Sequence, residues 1–256
     1  MKKIVIAKRE SVRQSFVMAD CEALDCKAQG AYGADGCDMT ICLEAEARAD
    51  ILVVVGQKST KEQHIVAHLG RSSVLKLITL DVECADFERH TEIYLDGENA
   101  QCELSGVFVT TATERCANYI EMKHLASDCV STQTFRGVAS GSSRGKFRGH
   151  IYVAPQAQDT SSEQTNYNIV FSDGAVIETQ PVLEIYADRV KCNHGATVGR
   201  EDPMELFYLR QRGIAPVAAR AMLTEGFCRS ALPVEGFDQK TQDLIQELLM
   251  RKLSSL

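Results

Sequence analysis

A mainly β chain that ends in a helical tail is what three observations on these 256 residues predict. Residues 1 to about 199 divide into short apolar or alternating runs separated by Gly, Asp, Asn and Ser. Past Glu201 the pattern changes to capped segments with helical spacing. Strands and helices do not interleave, which argues against a Rossmann or barrel enzyme. The expected division is a β domain over 1–200 and a helical region over 201–256.

Taken in order, Ile51-Leu52-Val53-Val54-Val55 reads as a buried strand ending at Gly56. Val74 to Leu80, Glu92 to Leu95, Cys102 to Val109 and Tyr119 to Met122 follow at intervals that suit an all-β solenoid or sandwich. From residue 146 the alternation is clean. Phe147, Gly149, Ile151 and Val153 share one face, and Lys146, Arg148, His150 and Tyr152 the other. The sequence has no strict repeat. Successive coils of a β-helix require only recurring strand lengths and turns.

In the tail, Asp202 stands before Pro203 with Glu205 three residues after it, a helix start. Gly213 is the expected stop. A second helix opens at Pro216, continues through Ala218, Ala219, Met222 and Leu223, and is expected to end at Gly226. A third begins near Asp238 with the apolar stripe Leu244, Ile245, Leu248, Leu249 and Leu253. Arg251 and Lys252 lie in its last turn, where the helix dipole favours cations.

Composition narrows the function. The net charge of −7 argues against general nucleic-acid binding, which requires a basic surface to displace counterions. No run of about 18 uncharged apolar residues suggests a membrane span. The apolar block Ile4-Val5-Ile6-Ala7 is too short for a signal peptide, so a soluble cytoplasmic chain is expected. Its ten cysteines then read as reduced thiols. No C-x-x-C occurs. The pairs Cys21–Cys26 and Cys37–Cys42 lead into no ferredoxin-like spacing. Cys102 and Cys228 look packed, whereas Cys129, in a turn-like Ala-Ser-Asp stretch, looks more accessible.

The chemistry concentrates at Cys192-Asn193-His194. On a strand these two side chains share a face about 6–7 Å apart. That is too far for a nucleophile–base hydrogen bond. Thiolate plus imidazole suits iron, an iron–sulfur cluster or zinc. Core packing is the competing reading, because Val190 has the same parity. Glu184, between Leu183 and Ile185, is a candidate carboxylate or a solvated strand residue. His64 and His68 would face one metal on a helix, although a turn or strand is as consistent with their surroundings. Arg144-Gly145-Lys146-Phe147 lacks the glycine spacing and the Ser/Thr of a phosphate-binding loop, so nucleotide hydrolysis belongs elsewhere. No paired acids suggest a β-helix hydrolase or lyase.

A longer constellation resembles a known family. Gly145-Lys146-Phe147-Arg148-Gly149-His150-Ile151-Tyr152-Val153 leads through Gln164-Thr165-Asn166 and Ser172-Asp173-Gly174-Ala175 to Pro181-Val182-Leu183-Glu184-Ile185-Tyr186-Ala187-Asp188. Val190 to Gly199 and Leu206-Phe207-Tyr208-Leu209-Arg210-Gln211-Arg212-Gly213-Ile214 complete it, with His124, Ser127, Ser131, Gln133, Phe135 and Gly137 upstream. This pattern resembles the SufB/SufD family of iron–sulfur cluster assembly scaffolds, and its Cys-x-His-Gly-Ala-Thr-Val-Gly segment is most like SufD. The match is strong from about 120 to 232 and weaker before.

The resemblance implies a right-handed parallel β-helix, a non-catalytic scaffold role and a transient iron–sulfur cluster at Cys192 and His194, with Glu184 nearby. It also implies a second SufB/SufD-like subunit and a SufC-like ABC ATPase docked on the tail. Phe207, Tyr208, Arg210, Arg212, Ile214, Arg220 and Phe227 combine apolar anchors with Arg, the types enriched at interface hot spots. Two departures stand out. The helical N-terminal region of typical members is largely missing, which suggests a homodimer in place of a heterodimer. The cysteine that SufB-type members carry in the rung of Gln164-Thr165-Asn166 is absent.

Overall fold

The computed structural model describes residues 2–18, 38–56 and 62–256; Cys21, Cys26 and Cys37 lie outside them. Among these residues fourteen strands alternate between two parallel sheets. The odd strands β1 (Lys2–Ile6), β3 (Met39–Leu43), β5 (Glu62–Leu69), β7 (Asp86–Leu95), β9 (Arg115–His124), β11 (Arg144–Val153) and β13 (Val176–Ile185) neighbour one another in that order. The even strands β2 (Ser11–Met18), β4 (Arg48–Val55), β6 (Val74–Asp81), β8 (Gln101–Thr110), β10 (Val130–Ala139), β12 (Thr160–Val170) and β14 (Val190–Gly199) do the same in the second sheet. Each coil thus gives one strand to each sheet and pairs with the coil before and after it. This is the expected parallel β-helix.

Alternating burial shows why these segments are strands. Along β11 Phe147, Ile151 and Val153 point inward, as their spacing predicts, and Arg148 outward. Phe147 meets Phe135 of β10 across the interior, with ring centroids 4.9 Å apart. Cys102 is buried, as expected. Cys129 corrects the sequence reading: it is fully enclosed, and its thiol lies 3.3 Å from the Gly97 carbonyl. Asp128 does make the turn, with φ of 58°, but the next residue already faces inward.

The coils do repeat, in backbone geometry rather than in sequence. Glu46, Ser72, Asn99, Asp128 and Asp159 all take a left-handed conformation at the same corner. Each donates its N–H to a carbonyl of the next coil: Arg71, Glu98, Ser127, Gln158 and Arg189 respectively. Residues as different as Glu, Ser, Asn and Asp fill one structural position because the stacked corner supplies a backbone bond, which offsets the cost of the left-handed region.

The tail folds as α1 (Pro203–Gln211), α2 (Pro216–Arg229) and α3 (Gln239–Leu253). Asp202 caps α1 by accepting the Met204 N–H at 2.8 Å, and Gly213 follows its end with φ of 82°. Asp238 caps α3 through the Thr241 N–H at 3.0 Å. The expected stop at Gly226 is wrong, since α2 runs on to Arg229. A mid-helix glycine costs about 1 kcal/mol. Burial of Cys228, Ala231 and Leu232 against the sheet just beyond it favours continuation of the helix.

Ile245, Leu248, Leu249 and Leu253 of α3 pack with Leu52, Val54, Ile78, Leu80, Val107 and Val109 on the outer face of the even-strand sheet. Each such side chain contributes about 1.5–3 kcal/mol when fully buried. α3 is therefore fastened to the solenoid. By contrast, α1 buries no residue.

Candidate functional site

Among the described residues β14 is the terminal strand of its sheet and pairs only with β12. The register sets Cys192 opposite Ser162 and His194 opposite Gln164. Ser162 and Gln164 point into the solenoid and are buried. Cys192 and His194 therefore belong to the inward face of the last coil, the parity that Val190 suggests. Among the described residues no further coil covers them. Cys192 is half-buried, packed against the end of the core, while His194 is exposed. The two residues form the open mouth of the β-helix.

Burial pushes the Cys192 thiol up, and a hydrogen bond from the Ser162 backbone pulls it partly back. The thiol must release its proton to serve as a ligand, so metal binding there is coupled to proton release. Beneath the mouth runs a polar track. His124 Nε2 is 2.9 Å from Ser131 Oγ, which is 2.7 Å from Ser162 Oγ. Burial lowers the His124 imidazole to about 4, so it is neutral at pH 7. Both amide atoms of Gln133 and the Oε1 of Gln164 are buried without partners. His124, Ser131 and Gln133 stand out in the sequence only through the family-like pattern of the rungs.

Glu184 lies apart from this mouth. It faces outward on β13, where its Oε2 is 3.1 Å from His150 Nε2 and its Oε1 accepts the Tyr186 hydroxyl at 2.7 Å. Among the described residues no three His, Cys, Asp or Glu side chains are grouped to hold a metal ion. His64 and His68 lie on strand β5, not on a helix, and each stacks on the next coil: His64 on His90, His68 on Tyr94. Cys84, Cys102, Cys116, Cys129 and Cys228 are buried. A second feature escaped the sequence reading. Asp81 and Arg89 form a fully enclosed ion pair at 2.6 Å inside the solenoid. Desolvation raises the Asp81 carboxyl despite its partner.

The residues expected to meet a partner divide into two groups. Phe207 and Tyr208 are exposed at 53% and 57%, Arg210 is exposed, and Arg212 donates to the Tyr208 hydroxyl at 3.0 Å. Ile214 is half-buried at the α1–α2 junction. Arg220 and Phe227 instead turn toward the solenoid. Arg220 pairs with Glu201 at 2.5 Å and lies over the Phe171 ring, and Phe227 stacks on Arg136.

The model of the SufBD core domain, described as SUF system FeS cluster assembly, matches residues 5–227. The chain belongs to the SufBD family. It is similar to the iron-sulfur cluster assembly protein SufD of Escherichia coli (strain K12), 37% identical over 159 residues, which cover 61% of this chain and 38% of that protein. It is also similar to the SufBD family protein ML0594 of Mycobacterium leprae (strain TN), 29% identical over 215 residues, or 80% of this chain and 54% of the relative. The chain thus spans about half the length or less of these two relatives. As a SufBD member it belongs with proteins of iron–sulfur cluster assembly. Among the described residues no helix is long and apolar enough to cross a membrane.

Proposed function

We propose that this SufBD chain is a non-catalytic cytoplasmic scaffold of a SUF-type assembly complex, with an iron–sulfur cluster as its transient cargo. The observation that carries the reading is the placement of Cys192 and His194 side by side in the open last coil, on a strand whose other edge is unpaired. A soft thiol and an imidazole suit iron. Two donors leave a four-coordinate iron incomplete, so the remaining ligands come from a second SufB/SufD-like subunit, an identical chain apposed at the same end. The free edges of β13 and β14 offer unpaired backbone groups for that contact.

A SufC-like ABC ATPase docks on the exposed surface of α1 and the start of α2, through Phe207, Tyr208, Arg210 and Arg212. Only residues 200–202 separate β14 from α1. Two ion pairs pin this link, Arg200 with Asp173 and Glu201 with Arg220. Movement of α1 by a partner is thereby transmitted to the strand that carries Cys192 and His194, opening the mouth to iron and sulfide.

A second reading, an adaptor that regulates the ATPase or carries sulfur without binding a cluster, is favoured by the half-buried, protonated Cys192 thiol. Anaerobic reconstitution with iron, sulfide and the ATPase separates the two. The scaffold predicts iron–sulfur absorbance that survives desalting and is lost in Cys192→Ala and His194→Ala. Unchanged loading in both variants overturns the site, and ATPase stimulation without any cluster establishes the adaptor.

A further inference from the structure

Gln164 lies one coil beneath His194 in the in-register ladder of β12 and β14. Its side chain is completely enclosed. Its Nε2 donates to the Gly149 carbonyl across the interior at 3.3 Å. That bond fixes which way the amide faces, because a carbonyl accepts only from the nitrogen end. Oε1 is left buried with no donor. Such an orphan costs about 1–3 kcal/mol unless something donates to it. Gly149 makes the arrangement possible: a Cβ there would stand 2.2 Å from Gln164 Nε2 and 2.6 Å from its Cδ.

The spacing of the solenoid brings a donor close. Rings stacked on neighbouring coils elsewhere in this molecule are 4.7 to 5.0 Å apart, as in His90–Tyr119 and His64–His90. At that separation a tilt of an imidazole toward the coil below carries a ring nitrogen within hydrogen-bond distance of an amide oxygen. His194 is the exposed last member of the column that contains Gln133 and Gln164, and it has room to tilt.

We propose that Gln164 is a positioning residue for His194: its free amide oxygen accepts the His194 Nδ1–H and holds the tautomer whose bare Nε2 faces out of the mouth to receive iron. Carbonyl groups behind metal-binding imidazoles commonly act in this way, fixing both tautomer and ring orientation. The inference rests on the proposed role of His194 toward the cluster.

Its test needs no metal. Long-range proton–nitrogen spectra of the ¹⁵N-labelled full chain, recorded near pH 8.5 where an ordinary imidazole is neutral, report the His194 tautomer; His194→Ala identifies the signal. The Nδ1–H form is expected to dominate in the wild type. It should fall at least threefold in Gln164→Met, which keeps the length and removes the acceptor, and return in Gln164→Glu. If Gln164→Met does not fold, Gly149→Ala, which displaces the amide, takes its place in the comparison. A wild-type His194 in the Nε2–H form, or one indifferent to loss of the amide, overturns the inference. Cluster loading that survives His194→Ala overturns the functional reading and leaves the tautomer result standing.

Discussion

Lys252 Nζ of α3 sits 2.6 and 2.7 Å from the two carboxylate oxygens of Glu114, at the turn between β8 and β9. The lysine is only 4% exposed, an unusual place for an ammonium group without a partner. The same carboxylate accepts the Thr111 N–H at 2.8 Å, so one side chain holds both the turn and the helix end. Lys252→Ala leaves Glu114 desolvated and unpaired and should lower stability by about 3 kcal/mol. Urea unfolding measures it. The double change Lys252→Met with Glu114→Gln should recover much of the loss, because no buried charge remains.

Arg136 carries the second fastening of the tail. Its guanidinium lies 4.6 Å from the Tyr167 ring centroid and 5.4 Å from that of Phe227, and its Nε donates to Ser230 Oγ at 3.2 Å. Stacking of this kind is worth about 1–2 kcal/mol when partly desolvated. Arg136→Ala should therefore speed amide exchange in residues 216–229 roughly tenfold while leaving β8 and β10 protected. Equal protection of α2 in both proteins would show that the arginine does not couple tail to sheet.

His124 makes stability depend on pH. Its imidazole takes a proton near 4 in the folded chain, held down by burial, and near 6.5 when unfolded. The unfolded state thus binds more protons between those values, and stability falls as the pH drops through them. The contribution is intact above pH 7, smaller by about 2 kcal/mol at pH 5 and by about 3 kcal/mol near pH 4. Denaturant midpoints at pH 7 and pH 5 should differ less in His124→Asn than in the wild type.

Thiol labelling reads the open mouth directly. Among the described cysteines, Cys42 and Cys192 are half-buried, whereas Cys84, Cys102, Cys116, Cys129 and Cys228 are buried. Burial also keeps thiols protonated, raising Cys228 to about 12, and the thiolate is the reactive form. A maleimide should modify Cys192 and Cys42 in the native chain and reach the five others only on unfolding. Native labelling of Cys129 would contradict the corner geometry around Asp128.

Sequence alone was enough for the class of fold, the helix starts at Asp202 and Asp238, and the pairing of Cys192 with His194. These follow from side-chain alternation and from bonds to neighbouring backbone, which a local pattern encodes. It was not enough for the corners. Glu46, Ser72, Asn99, Asp128 and Asp159 are all polar but follow no single residue type, and the coil stacked beside each of them supplies the backbone bond that holds its conformation. Cys129 and Gly226 were misread for the same reason: burial and packing against distant residues overruled the local preference. The division is sharpest at the mouth. Parity placed Cys192 and His194 on one face, but only the assembled solenoid shows that this face points inward and that no coil follows β14 among the described residues. That missing neighbour leaves His194 in solvent one coil above Gln164, whose amide oxygen is unpartnered, because a ladder position acquires its environment from the strand beside it and not from its own sequence.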